Sequence, residues 1–262
     1  MTAIPRLRIL ALPLSSAARL AKPPSATSYP LVYYYFQTAP RPADQPPSLA
    51  NRITSKAASL WARFGNAPEG NWRRRLFGYG ERLVDKIEFE ELALSSLDPS
   101  MGPTTTSAGA AAIALVHPSF IGFAPVGHLE SLLAHRAPKH RRGFWTWVAI
   151  APLTAPFTLV PVIPNLPFFY AAWRAWSHYR AWKASEYLEG LVKRGLVEAQ
   201  ADAALDAVYA EETGGKEGDG EERVMLSRSG VERIGRTFGL AGAAEGQLHR
   251  AVGQARARLK QG

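Results

Sequence analysis

A mainly α fold with a small N-terminal β element, an α+β protein, is what this sequence predicts, and three observations predict it. Apolar residues recur at three- and four-residue spacing through most of the chain from Leu49 onward. Two short runs near the N-terminus, residues 8–12 and 31–36, are rich in branched and aromatic side chains and read as strands. Between Gly143 and Trp173 the chain is uncharged and mostly apolar, closed by Arg142 at one end and Arg174 at the other. The 262 residues carry a net charge of +9, which favours an anionic partner such as an acidic lipid surface or nucleic acid. With no cysteine, disulfides, thiolate metal sites and cysteine nucleophiles are excluded.

The first elements have two readings. No acid occurs before Asp44, while Arg6, Arg8, Arg19, Lys22 and Arg41 do, as in a mitochondrial transit peptide. Folded strands at 8–12 and 31–36 account for the same residues, and Pro13 would break a presequence helix early. Pro/Ser-rich spacers at 22–28 and 40–47 follow the two strands. Leu49, Ile53, Ala57, Leu60, Trp61 and Phe64 predict a helix, with Ser48 as its N-cap and Gly65 as its stop. Asn71 caps a second helix running through Ile87. Residues 88–97 continue it or start a new one, ended by Pro99. Arg73, Arg74 and Arg75 sit early in this helix, where the macrodipole does not favour them. They read as a solvated face or as an anion-binding patch. Residues 111–116 predict a third strand beside the first two, and residues 126–136 a short helix.

The uncharged stretch would be about 45 Å long as one helix, against about 30 Å of bilayer hydrocarbon. Pro152, Pro156, Pro161, Pro164 and Pro167 interrupt it, so it is expected to form a hairpin turning within 156–164. Basic residues flank both ends: Arg136, Lys139, Arg141 and Arg142 before it, Arg174, Arg180 and Lys183 after. A single crossing would show an excess on one side, so both ends are expected on one membrane face, with partial insertion. Phe144, Trp145, Trp147, Pro161, Pro164, Asn165, Pro167, Phe168, Phe169 and Tyr170 are the membrane-associating candidates. Trp173, Arg174, Trp176, His178, Arg180 and Trp182 read as an interfacial aromatic-basic helix; a helix packed on a core and a stacking platform for RNA bases are the alternatives. Arg73, Arg74, Arg75, Lys139, Arg141 and Arg142 are candidates for anionic lipid.

Residues 185–212 predict one long helix. Residues 213–222 are glycine-rich and acidic and read as a flexible linker. Beyond it, Ser227 or Ser229 caps a helix carrying Val231, Ile234 and Phe238, and a last helix carries Leu248, Val252 and Leu259. The resulting organisation is an α+β region over 1–142, the apolar segment and aromatic-basic helix over 143–183, a long helix over 184–212, the linker, and a small helical module over 223–262.

No catalytic, cofactor or metal site is expected. The six histidines form no HExxH pattern, and no phosphate loop, GxGxxG or GxSxG is present. Glu88, Glu90 and Glu91 read as a solvated helix face. An enzyme is the least supported class.

The run Pro161-Val162-Ile163-Pro164-Asn165-Leu166-Pro167-Phe168-Phe169-Tyr170, followed by Arg174-Ala175-Trp176-Ser177-His178, resembles the signature of the mitochondrial K+/H+ exchange-related family of fungal proteins. Leu10-Ala11-Leu12-Pro13-Leu14, the tract from Trp61 through Trp72 to Glu90-Glu91, and Arg250-Ala251-Val252-Gly253-Gln254 are similar to other parts of it. The 22–28 spacer departs from the pattern as an insertion. The resemblance implies a mitochondrial inner-membrane protein tied to electroneutral K+/H+ exchange and matrix volume, with membrane lipids and an exchanger complex or a homo-oligomer as partners. An exchanger needs ionisable groups within the membrane, and residues 143–173 contain none. The expected role is therefore an accessory or regulatory subunit rather than the ion pore. The alternative is a soluble or peripheral basic mitochondrial protein that binds RNA, the ribosome or anionic lipid; no RNA-binding signature accompanies it.

Overall fold

β1 (Leu7–Pro13) is the strand around which the sheet is assembled. The computed structural model describes residues 7–15, 31–39, 49–103, 112–154, 166–213, 223–240 and 242–260. β1 pairs antiparallel with β2 (Val32–Thr38), Leu7 opposite Thr38 and Pro13 opposite Val32. On its other side it pairs parallel with β3 (Ile113–His117), Ile9 opposite Leu115. β4 (Val197–Ala201) adds a parallel edge strand, giving the order β2-β1-β3-β4. Ile9, Leu10, Ala11 and Leu12 are all buried, a continuous apolar run that belongs to a strand covered on both faces. A cut after β1 would remove an interior strand of the sheet, so the folded-strand reading of residues 8–12 holds. The 22–28 spacer and Ser48 lie outside the described residues.

The expected helix over 126–136 is longer than its periodicity indicated. α4 runs from Pro125 to Leu153, through the basic run and through Pro138 and Pro152. Each interior proline removes one backbone hydrogen bond. Contact with α5 (Leu166–Lys193) along the shared length outweighs that loss. The two helices are antiparallel, with His140 against His178 near the middle of both and Trp147 against Tyr170 toward the turn. They are the arms of the expected hairpin. Pro161, Pro164 and Asn165, with the turn itself, lie outside the described residues. Among the described residues, no helix is long and apolar enough to cross a membrane.

The single helix expected over 185–212 is corrected. α5 ends at Lys193, Gly195 adopts φ +67°, and β4 intervenes before α6 (Ala203–Thr213). Asp202 Oδ1 caps α6, accepting from the backbone N–H of Ala204 at 2.9 Å and of Leu205 at 3.1 Å. Only Val197 of β4 is buried, so the strand carries no apolar alternation to betray it.

The expected separate C-terminal module is also corrected. Ser227 caps α7 (Arg228–Phe238), its Oγ accepting from the N–H of Gly230 at 3.2 Å. Val231, Ile234 and Phe238, with Leu248, Ala251 and Ala255 of α8 (Ala243–Leu259), share one core with β1 and β2. Residues 214–222 of the expected linker lie outside the described residues.

Residues 40–88 form a compact unit of their own. It is a two-helix hairpin of α1 (Leu49–Gly65) and α2 (Trp72–Val84). Asn71 caps α2 as expected, its Oδ1 accepting from the N–H of Arg73 at 2.9 Å. Trp61 stacks near Phe77 and donates from Nε1 to Glu81 at 3.2 Å. A Cβ at Gly80 would lie 2.4 Å from the Trp61 ring, so glycine is what lets the indole rest on α2. The remainder, residues 1–39 and 89–262, forms the larger unit.

Candidate functional site

Glu90 and Glu91 open α3 (Phe89–Ser96), a short helix whose first six residues are all buried. The solvated face expected for this acidic pair is thereby corrected, with Glu91 only 4% exposed. Two carboxylates taken out of water need cations, and neighbouring helices supply them. Glu90 pairs with Arg136 of α4 at 3.0 Å and, through both oxygens, with Arg258 of α8 at 2.8 and 3.1 Å. The Arg258 guanidinium also lies 4.7 Å above the Phe89 ring. Burial, with the like charge of Arg258, lowers the pKa of Arg136 to about 10.

Glu91 is held by α5. Arg174 donates to its two oxygens at 2.5 and 3.4 Å, and Ser177 Oγ donates at 3.0 Å. Burial by itself would raise the Glu91 carboxyl. The Arg174 hydrogen bond and charge, with the His178 and His140 rings, outweigh it and hold the carboxyl below its ordinary value. Arg174 Nη2 also lies 2.9 Å from His178 Nε2, and His178 Nδ1 lies 3.2 Å from His140 Nδ1.

These contacts fix the ring protons. A guanidinium only donates, so His178 Nε2 accepts and its proton sits on Nδ1. That proton is donated to His140 Nδ1, which puts the His140 proton on Nε2. His140 Nε2 is buried and has no hydrogen-bond partner among the described residues. Burial pushes the His140 pKa down to about 4, and burial lowers His178 as well, so both rings are neutral at pH 7.

Glu91, His140 and His178 also offer donor atoms within 4.8 Å of one another, two imidazoles and a carboxylate, the donor types of a zinc site. Arg174 opposes that use. A ring coordinating through Nδ1 carries its proton on Nε2, where Arg174 already donates, and the same guanidinium holds both Glu91 oxygens. The arrangement is an ion-paired hydrogen-bond network that ties α3 to α4 and α5.

Gly143 permits the close approach of α4 to this network. A Cβ there would lie 2.8 Å from three His178 ring atoms. Gly143→Ala is expected to displace the imidazole and to lower stability by about 1–3 kcal/mol, the usual range for overpacking. Urea titration would read it, and an unchanged midpoint would mean that the two helices separate freely at this point.

The aromatic-basic segment expected at an interface turns largely into the fold, because α3 supplies its partners. Arg174 and His178 belong to the network, and Arg180 Nη2 donates to the carbonyl of Ser96 at 3.2 Å. Trp176 is half-buried, Trp182 packs near Phe144, and Trp173 alone of the three tryptophans is exposed. The described membrane-associating candidates run along the half of the α4–α5 hairpin that leads to the turn, with Phe144 nearest its middle against Tyr179 and Trp182. Trp145, Pro167, Phe168 and Phe169 are exposed there, while Phe144, Trp147 and Tyr170 are half-buried. Lys139, Arg141 and Arg142 are exposed on α4, with Arg141 5.7 Å above the Trp182 ring. Arg73, Arg74 and Arg75 lie on α2, so the six anionic-lipid candidates are divided between the two units. Glu90, Glu91 and His140 were not singled out from sequence as site residues. The one signal of the network is Arg174, Ser177 and His178 at i, i+3 and i+4, which places all three on one helix face.

An uncharacterized protein of Schizosaccharomyces pombe is 36% identical to the chain over 165 residues, covering 61% of this chain and 70% of its own length. One of Saccharomyces cerevisiae is 37% identical over 66 residues, 24% of this chain and 18% of its own length. No solved structure matches the chain. The family model described as mitochondrial K+-H+ exchange-related matches residues 8–192, a span that includes β1 from Arg8, β2, β3, the α3 carboxylates, α4 and α5 as far as Val192. The chain belongs to the mitochondrial K+-H+ exchange-related family.

Proposed function

We propose that this protein supports mitochondrial K+/H+ exchange as an accessory or regulatory component, held at the inner membrane by the end of the α4–α5 hairpin. The observation that carries the reading is the exposure of large apolar side chains at that end. Leu153 is 75% exposed, Phe169 62% and Trp145 58%, with Val148, Phe168 and Trp173 also open. Between the helices runs an apolar groove lined by Phe144, Val148, Ala151, Phe168, Ala172 and Trp176. Arg141 and Arg142 follow on α4 toward the base of the hairpin. Cations, then aromatic rings, then aliphatic side chains is the order in which a monotopic anchor meets a bilayer.

An accessory role is favoured over that of an ion path by where the ionisable groups sit. Glu91, Arg174, His140 and His178 are fixed to one another midway along the α4–α5 hairpin. Residues 143–173 contribute no group that could take up an ion and a proton in turn.

Carbonate washing of purified mitochondria tests the anchor. The native chain is expected to stay with the membranes, and a Trp145→Ser, Leu153→Ser, Phe169→Ser variant to pass into the supernatant. Release of the native chain would make it peripheral. Mitochondria lacking the protein are expected to swell more slowly in potassium acetate; an unchanged rate would remove the exchange role.

A further inference from the structure

The α1–α2 hairpin is a second surface that the proposed function does not use. Its helices half-bury Trp61, Phe64 and Phe77 against each other and leave α2 without one fully buried residue. What remains is an apolar stripe. On α2, Trp72, Leu76, Tyr79 and Leu83 follow one another at i, i+4, i+7 and i+11, the spacing of one helix face. Trp72 is 56% and Tyr79 62% exposed. On α1, Ile53 and Leu60 are exposed seven residues apart. Two helices of this size cannot enclose their own apolar faces, so the stripe stays in water unless something covers it.

Charge identifies the cover. Over residues 49–88, arginine and lysine outnumber the acids two to one. Arg73, Arg74 and Arg75 occupy the first turn of α2, where the helix dipole opposes them. Arg74 and Arg75 have no acidic partner among the described residues, and Arg73 lies 5.6 Å from the Trp72 ring that begins the stripe. Arg82 lies 5.5 Å above the Tyr79 ring. Tryptophan and tyrosine beside arginines on an amphipathic helix match the interface of an anionic bilayer, with rings at headgroup depth and guanidinium groups on phosphate.

We propose that the α1–α2 hairpin is an anionic-phospholipid binding element that lies in the plane of the bilayer, with Arg73 and Arg75, which flank the stripe, on the headgroup phosphates, Arg74 adding to the local positive charge, and the Trp72–Leu83 stripe at the acyl boundary. The inference does not depend on the α4–α5 anchor.

The test uses the full chain and vesicles of phosphatidylcholine with and without phosphatidylglycerol. The native protein is expected to prefer the anionic vesicles, and to lose that preference in high salt. Arg73→Glu, Arg74→Glu, Arg75→Glu together are expected to weaken binding to anionic vesicles by roughly a hundredfold and to leave binding to neutral vesicles almost unchanged. Trp72→Ala, Tyr79→Ala, Leu83→Ala are expected to weaken both, with circular dichroism unaltered because the side chains are exposed. Inorganic phosphate is not expected to compete. The same measurements on Trp145→Ser, Leu153→Ser, Phe169→Ser separate the two surfaces: an anionic preference that survives there supports this element even if the anchor fails. An arginine variant that keeps the native preference overturns the proposal. So does a self-association lost with the stripe substitutions while vesicle binding persists, which would assign the face to a second copy of the chain.

Discussion

Glu91→Ala is expected to lower folding stability by about 3–5 kcal/mol, the range for removing one partner of a buried ion pair. The carboxylate is what makes the interior tolerable for Arg174, whose side chain is almost as buried. Without it a guanidinium is left uncompensated, Ser177 Oγ loses its acceptor, and the charge next to His178 no longer has a counterion. Guanidinium titration followed by tryptophan fluorescence should show a large drop in midpoint at an unchanged slope. A loss of less than about 1 kcal/mol would mean that water reaches the pair and screens it. Glu91→Leu combined with Arg174→Leu should recover much of the loss, since no unpaired charge then remains in the interior.

Acidification is expected to unfold the same region early. The folded chain holds His140 neutral, its pKa pushed down by burial to about 4, whereas the unfolded chain takes up a proton near the ordinary 6.5. Stabilisation from this ring is therefore complete above pH 6.5 and is lost as the pH falls toward 4, by about 3 kcal/mol over the interval. His178, also lowered, adds to the loss in the same direction. Glu91, held below its ordinary value by Arg174, extends it to lower pH, since its contribution is present above the unfolded pKa and disappears as the carboxylate protonates. The surroundings reinforce the sign. Arg136 and Lys139 on α4 and the His178 ring oppose a new cation at His140, Arg174 and Lys139 oppose one at His178, and Glu91 on α3 favours one at both. Equilibrium unfolding measured between pH 7 and 4 should slope steeply in the native chain. His140→Gln, neutral throughout, should flatten that slope, and an equal slope in both would place the acid sensitivity elsewhere.

The strands at 8–12 and 31–36 were legible because branched and aromatic side chains cluster there, the one at 111–116 because a short apolar run precedes Pro118, and the Asn71 and Ser227 caps because an acceptor side chain precedes an apolar period. β4 was not, since one buried valine among four exposed residues produces no alternation. The length of α4 was hidden by Pro138, whose local meaning is a stop; only the contact with α5 reverses it. The network was hidden for another reason. Adjacent glutamates in a helix are usually solvated, and nothing near Glu90 and Glu91 in sequence indicates that Arg174, 83 residues away, and Arg258, 168 residues away, will meet them.

β1 also sets a schedule for how the molecule is made. It leaves the ribosome well before its partners: its parallel neighbour begins at Ile113, and the backbone that closes over its end at Leu14 belongs to Met225. A strand whose residues 9–12 are all apolar therefore waits beside β2 alone while most of the chain is still being synthesised. Such delayed, non-local pairing slows folding and leaves sticky surface in the open. That surface stays uncovered until β3 and the segment around Met225 arrive.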